Sequence, residues 1–459
     1  MAVPPIRILA ANEAPIQGLG RYVLYWMIAS RRSRSNYALE RAIQWSNDLK
    51  RPLVVLEPLD CGYEWTSDRT HRFLLEGMAE NHEVFNRRRA TFYPYVERRS
   101  GEAKGLLAAL SAKACVVVTD RFPAFIFPSL VKAAARKVPV RLEVVDGCGL
   151  LPLDATEKVF ARAYSFRRFL QENLSKHLQA RPLVDPLAKL MHSAPASIDS
   201  QVTSRWPASS LDQLLKFANN PRLLSIDHSV PAVRQRGGPA AARTVLDHFL
   251  SAGRPRGSGL SPYIHFGHIG IHEILTEVRK DLAPAIAEPF LDQLVTWREL
   301  GFNMCAKRAD YDEFESLPDW AQATLRKHAA DRRPVLYSEE DFEAAQTHDG
   351  LWNAAQTQLV TEGRMDPYLR MLWGKKILEW SASPQRALNL MIHLNNKYAL
   401  DGRDPNSYNG IFWILGRYDR PWGPERPIFG TVRYMSSQNT ARKLRGRKHG
   451  EEYGRIERA

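Results

Sequence analysis

The first 150 residues alternate short apolar, β-branched runs with polar stretches of helical period. The runs are YVLYWM (22–27), PLVVLEPL (52–59), TFYPYV (91–96), ACVVVTD (114–120) and PVRLEVVD (139–146), bounded by Pro, Gly and Asp. Continuous apolar runs separated by patterns such as NYALERAIQWSNDL (36–49) predict buried parallel strands joined by crossover helices. The expected fold class is an α/β, doubly wound, Rossmann-like parallel-sheet domain over residues 1–155. An irregular connector rich in Ser, Ala and Pro is expected over 156–234. Beyond residue 260 strand-like alternation is scarce and helix periodicity with caps runs to about residue 415, so residues 235–459 are expected to form an all-α domain.

Three helices can be read closely. Asp366 suits an N-cap and Pro367 the first helical position; Leu369, Trp373, Ile377 and Trp380 then recur at spacings of four, four and three, with Lys375, Lys376 and Glu379 off that stripe. Seven residues are nearly two turns, which sets Trp373 and Trp380 on one face about 10.5 Å apart along the axis. The stretch 351–363 places Trp352, Ala355 and Leu359 at helical spacing and ends on Gly363, a C-cap residue. Only a short turn separates the two helices, so they can pair and bring a third indole close. By its spacing alone such a stripe reads as core packing rather than as a conduit, because aromatic stripes are usually core. In the third helix, 384–400, Asn395 falls on the face of Leu388 and Met391. A buried amide needs partners, either neighbouring backbone or a polar atom of a bound cofactor.

Composition narrows the function classes. A chain of 459 residues implies roughly two to four domains. Apolar residues at 44% and charged residues at 25% are those of a soluble globular protein, not a disordered one. No apolar run approaches the roughly 18 residues of a spanning helix, and the first residues lack a signal pattern, so a cytoplasmic protein with no membrane partner is expected. Cys61, Cys115, Cys148 and Cys305 are scattered, which suggests reduced thiols and neither a disulfide framework nor a zinc ribbon. A formal charge of +14 favours a polyanionic partner. The basic tail with Arg442, Lys443, Arg445, Arg447 and Lys448 reads as a solvated terminus or a phosphate-contacting arm.

No G-x-G-x-x-G or P-loop motif follows any strand. GSGLSPYIHFGHI (257–269) supplies Ser258 and Ser261 around Gly259 before a helix-like stretch, a pattern that suits a phosphate or an ordinary turn. His265, His268 and His272 lie at spacings of three and four but without an HExxH frame, so no metal site is expected.

Several segments together resemble the photolyase and cryptochrome family, in particular class II cyclobutane pyrimidine dimer photolyases: GLSPYIHFG, FLDQLVTWREL, LWNAAQTQLV, YLRMLWGKKILEW, HLNNKYALDGRDPNSYNGIFW and RPIFGTVRYM, in family order. The resemblance covers most of 235–435 and implies an α/β antenna domain before a helical FAD-binding domain. It further implies that reduced FAD, excited by light, donates an electron to a pyrimidine dimer flipped out of double-stranded DNA, and that the protein acts as a monomer. Ser258, Leu260 and Ser261 resemble the family's phosphate contacts, Arg370 and Asp401 its ion pair beside the isoalloxazine, and Asn395 the residue facing the reducible flavin nitrogen. Trp297, Met371, Trp413 and Arg433 match positions lining the lesion pocket; aromatic walls suit a dimer, which is cheaper to extrude than an intact pair. Trp352, Trp373 and Trp380 match the family's electron relay, with Trp380 expected toward solvent. An antenna chromophore such as a deazaflavin is implied by resemblance, with no residues assigned to it.

One departure bears on function. Gln293 stands where the family carries a lesion-binding glutamate; an amide can donate a hydrogen bond to a pyrimidine carbonyl but cannot act as an acid. Slow repair, a different lesion, or a cryptochrome-like photoreceptor are the alternatives this residue opens. A light-independent nucleic-acid-binding module is a third reading, which predicts no flavin.

Overall fold

The computed structural model describes residues 3–88, 90–192, 194–252 and 257–444. These group into two compact units, residues 1–159 with 166–307, and residues 160–165 with 308–459. Arg445, Arg447 and Lys448 of the basic tail lie outside the described residues.

All five strand-forming runs become strands of one six-stranded sheet, joined by one strand the pattern does not mark. In chain order these are β1 (Ile8–Ala10), β2 (Tyr22–Trp26), β3 (Leu53–Leu59), β4 (Thr91–Val96), β5 (Ala114–Asp120) and β6 (Leu142–Val145). Their order in the sheet is β1-β6-β5-β2-β3-β4. Pairing is parallel throughout except that β1 runs antiparallel to β6, with Leu9 opposite Val144. β1 is three residues long and mostly exposed, so it has neither the length nor the apolar run that betrays the others. Residues of β2, β3 and β5 alternate between two cores, Val23 and Tyr25 on one face, Leu24 and Trp26 on the other. Burial on both faces is why these strands read as unbroken apolar runs.

Helix α1 (Tyr37–Leu49) covers one face, capped by the Asn36 side chain, and α2 (Asp68–Arg87) begins at a Ser67–Thr70 capping box. The stretch 156–234, read as an irregular connector, contains the 15-residue helix Ala163–His177 and two shorter ones. Ala163, Phe166 and Leu170 are buried there at helical spacing. Later in this unit come α3 (Ser261–His265), α4 (Pro284–Leu291) and α5 (Arg298–Lys307), with Asp292–Trp297 forming a widened π-helical segment between the last two.

The second unit is helical: α6 (Asp319–Lys327), α7 (Gly350–Glu362), α8 (Pro367–Trp380), α9 (Pro384–Tyr398) and α10 (Pro405–Ile414). Side-chain caps at Asp349, Asp366, Ser383 and Asp404 start α7 to α10, and Gly363 ends α7 at φ 69°. Helix α8 packs against α7, α9 and α10. Its surface is buried nearly all round, from Leu372 to Leu378 and again at Trp380. Gly374 permits that enclosure: a Cβ there would stand 2.3 Å from Ile414 Cδ1 and 2.8 Å from Met391 Sδ. Lys375, although off the apolar stripe, is therefore also enclosed, at 1% exposure. Among the described residues no helix is long and apolar enough to cross a membrane.

Candidate functional site

In the first unit, the sheet reverses its winding between β2 and β5, the position where doubly wound folds usually bind ligands. Here a side chain of the protein takes the amides just beyond β2, beside a small cavity lined by Ser30, Phe122, Gly147 and Cys148. The Asp120 carboxylate, at the end of β5, accepts from the backbone N–H groups of Ile28, Ala29 and Ser30 at 2.8–3.0 Å and from the Tyr25 hydroxyl at 2.9 Å. Three successive amides form the kind of nest that takes a phosphate. With Asp120 in place they are saturated, which agrees with the missing glycine fingerprint.

Ser258, Leu260 and Ser261 lie at the entrance of α3. Gly257 and Gly259 hold φ of 86° and 69°, a left-handed turn that glycine adopts without steric cost. The Ser258 hydroxyl accepts from the Leu260 amide at 3.3 Å, and Ser261 is exposed as the first helical residue. Two of the histidines that follow, His268 and His272, are buried in the packing. His268 is buried against Phe73, ring centroids 5.1 Å apart, and its Nδ1 accepts from the Gly238 amide at 2.9 Å. Burial pushes His268 and His272 down to about 3, so both are neutral.

Gln293 and Trp297 sit on the π-helical segment Asp292–Trp297. Such one-turn widenings occur often at functional sites because they displace side chains from the regular α-helical register. Gln293 is exposed and Trp297 half-buried, its indole N–H donating to Asp292 at 3.2 Å; Asp292 is in turn held by Arg167 at 2.9 Å.

In the second unit, Arg370 on α8 approaches Asp401 at 3.6 Å, an ion pair too long for a direct hydrogen bond. Asp401 Oδ1 is buried and accepts no hydrogen bond from the described residues. A buried carboxylate oxygen without a donor is costly, and a ligand donor there would satisfy it, so this pair fits the flavin ring that the resemblance implies. Asn395 meets neither backbone nor empty space through its amide nitrogen, which donates to Ser407 Oγ on α10 at 2.6 Å and to Asn396 Oδ1 at 3.3 Å. Its side chain is thereby fixed in orientation.

Trp413, at the end of α10, is half-buried, with the Arg433 guanidinium 5.4 Å from its ring centroid and 4.1 Å from that of Trp422. Asp419 organises this cluster: it forms an ion pair with Arg433, whose Nη2 donates to it at 3.4 Å, and accepts from the Trp422 indole N–H at 3.1 Å. Sequence reasoning missed Asp419 and Trp422, because in the chain they look like any polar loop, and only the fold brings them to Arg433. Met371 is half-buried on α8.

The three indoles that the resemblance implied as a relay are brought together. Trp352, Trp373 and Trp380 are all at or below 1% exposure. The Trp352 N–H donates to the Trp373 carbonyl at 3.0 Å, and the Trp373 N–H to the buried Gln356 amide oxygen at 2.8 Å. Trp380 does not face solvent as expected. Tyr337, Phe342 and His348 pack over it with centroids 5.6, 6.4 and 5.0 Å away, so the end of α8 is closed by the segment before α7.

The chain is 36% identical over 453 residues to a protein named deoxyribodipyrimidine photo-lyase from Methanothermobacter thermautotrophicus, covering 96% of each chain. It is 34% identical over 460 residues to the protein of that name from Potorous tridactylus, covering 95% of this chain and 82% of the relative. A bacterial class III photolyase from Agrobacterium tumefaciens shares the fold at a TM-score of 0.66 and 16% identity, covering 93% of this chain and 85% of that one. No family model matches the chain.

Proposed function

Because the chain belongs to the deoxyribodipyrimidine photo-lyase family, we propose that it repairs cyclobutane pyrimidine dimers in double-stranded DNA under light, with FAD as cofactor. The observation that carries this reading is the likeness, over nearly the whole chain, to relatives bearing that name. Held in its reduced form, FAD would supply, on absorbing light, an electron lent to the dimer and recovered once the cyclobutane bonds have split.

The chain's own residues bind and orient. Ser258, Leu260 and Ser261 offer amides and hydroxyls at a helix entrance, a setting that suits the cofactor's phosphates. Arg370, Asp401 and the fixed Asn395 amide supply charge and hydrogen bonds for its ring. Trp297 and Trp413 give a flipped dimer aromatic walls, Met371 an apolar one, and Arg433 a cation whose direction Asp419 sets. Gln293 donates a hydrogen bond to a pyrimidine carbonyl without a proton to transfer. Trp352, Trp373 and Trp380 form a rigid indole series whose proposed role is electron relay. An antenna chromophore such as a deazaflavin is a further expectation of the family resemblance, with no residues assigned to it.

Gln293 favours a second reading, a blue-light photoreceptor or a photo-lyase of altered lesion preference. The deciding experiment photoreduces the purified yellow protein, adds an oligonucleotide containing one cyclobutane dimer, and follows dimer loss under blue light. Loss is expected; persistence of the dimer with the flavin fully reduced would reject repair, and a protein without flavin absorption would reject both flavin readings.

A further inference from the structure

Helix α4, the π-helical segment Asp292–Trp297 and α5 follow one another without a break in the chain, and the widened turn ends on Trp297. The two ends of that turn are joined through their side chains, because the Trp297 indole N–H donates to Asp292 Oδ2 at 3.2 Å. In a regular α-helix, residues five apart point about 140° away from each other around the axis. In a π-helix the backbone bond itself spans five residues, so the later residue stacks over the earlier one. The bond between Asp292 and Trp297 is therefore a product of the widening. An α-helical register would part the two side chains.

Asp292 is held from the other side by Arg167, on the helix Ala163–His177. The guanidinium donates from Nη2 to both carboxylate oxygens, at 2.9 and 3.1 Å, and from Nε to Oδ1 at 3.3 Å. Phe166 and Leu170 are buried and anchor the helix that carries it. A planar fork on a carboxylate fixes the plane of the carboxylate as well as its position. The pair is partly open to solvent, its side chains 41% and 36% exposed, so it adds little to stability and acts through geometry. Beyond Trp297 the backbone is pinned by buried neighbours: the Arg298 guanidinium lies 4.1 Å from the Phe302 ring centroid, and Glu299 accepts from the Leu150 amide at 2.8 Å. The freedom left to Trp297 is rotation of its side chain, and the bond to Asp292 restricts it.

An indole fixed before binding avoids the ordering cost that a mobile aromatic incurs when a ligand stacks on it. It also fixes the ring plane, on which aromatic stacking depends. Both oxygens of Asp292 are engaged, one by Arg167 and the other by Arg167 and the indole, so Asp292 does not stand in for the acid missing at Gln293. Resting on the repair reading above, we propose that Asp292, clamped by Arg167, is a positioning residue that presets the Trp297 indole against the lesion and so sharpens the preference for damaged over undamaged DNA.

The test uses the full-length, flavin-bound protein and titrates an isolated dinucleotide dimer, which carries no flanking DNA, alongside a damaged and an undamaged duplex. Asp292→Ala should weaken binding of the dinucleotide dimer about fivefold, the order expected for one aromatic side chain released from a fixed orientation, and leave affinity for the undamaged duplex nearly unchanged. Asp292→Asn keeps an oxygen for the indole N–H and should recover most of the loss. The swapped pair Arg167→Asp/Asp292→Arg restores the ion pair, and with it any stability lost in a urea titration, but offers the indole no acceptor at position 292. Its dimer affinity should stay as low as that of Asp292→Ala. Should the swapped pair fold poorly by circular dichroism, Arg167→Gln, which loosens the carboxylate without removing it, should give an intermediate loss. In a Trp297→Ala background, Asp292→Ala should have no further effect on the dimer. Unchanged dimer affinity in Asp292→Ala, an equal loss for the undamaged duplex, rescue by the swapped pair, or a full additional loss in the Trp297→Ala background would overturn the positioning role while leaving the repair reading standing. A wild-type protein with no preference for the damaged over the undamaged duplex would instead remove the repair reading, and the positioning role with it.

Discussion

Trp352 meets Trp380 edge to face, their ring centroids 6.0 Å apart and planes at 69°, across the interface of α7 with α8. Edge-to-face indoles are a stable core arrangement, worth about 0.5–1.5 kcal/mol beyond burial. The same packing holds the spacing between rings constant, which is what electron hopping needs. Core filler and conduit are therefore compatible for this pair.

Trp380→Phe separates the two roles. The ring stays apolar and the fold should survive with a loss of about 1–2 kcal/mol from the smaller side chain. If Trp380 is part of a relay, photoreduction of the flavin should slow by at least about tenfold, a barrier increase of roughly 1.4 kcal/mol, while repair by chemically pre-reduced protein stays near the wild-type rate. Transient absorption of wild type and variant checks it; an unchanged ratio returns the indole to packing alone.

Gln293→Glu restores an acid on the exposed first turn of the π-helical segment. General acids contribute about a hundredfold or more where a proton moves in the transition state. Repair per absorbed photon by reduced protein should rise, by up to about tenfold for a step only partly limited by proton transfer, and should fall again as pH exceeds the glutamate's pKa. An unchanged or slower rate would reject a limiting role for Gln293.

Gly374→Ala should destabilise the protein although alanine is the better helix former. Helix propensity favours alanine by about 1 kcal/mol, but the added methyl would collide with Ile414 and Met391, both fully buried. Overpacking of this kind costs about 1–3 kcal/mol. A net loss of about 1 kcal/mol is expected in a urea titration, with unchanged m-value.

Lys375 gives stability a pH dependence. Its ammonium is buried and donates to the Ile414 carbonyl, and desolvation lowers it from 10.5 to about 7. Between about pH 7 and 10.5 the unfolded chain binds this proton and the folded chain does not, so stability rises with pH across that window. Below it the full cost of a buried charge is present. Lys375→Met should raise stability by about 1–3 kcal/mol at about pH 6, and flatten the rise from about pH 7 to 10. Melting at about pH 6, 8 and 10 measures both, and equal effects at all three would reject the buried-charge account.

The local grammar of the chain determined much on its own. Strands β2 to β6 are apolar runs because both sheet faces are buried, and the starts of α1, α8 and α9 follow from the caps Asn36, Asp366 and Ser383. Turn chemistry likewise marked Gly363 and the glycines around Ser258. These signals act over a few residues, so they are visible in a linear string. What the tertiary structure decided are pairings between distant segments. β1 is a strand only because β6 offers it an edge. Trp380 is buried because Tyr337 and His348 return over it, and Lys375 because α7, α9 and α10 surround α8 on several sides. Asp419 holds Arg433 across fourteen residues of loop, and Asp120 takes the Ser30 amide across 90 residues of chain. A residue's own type and its near neighbours carry propensity and periodicity, whereas burial and charge pairing depend on which remote surface arrives, and that is settled only when the chain packs.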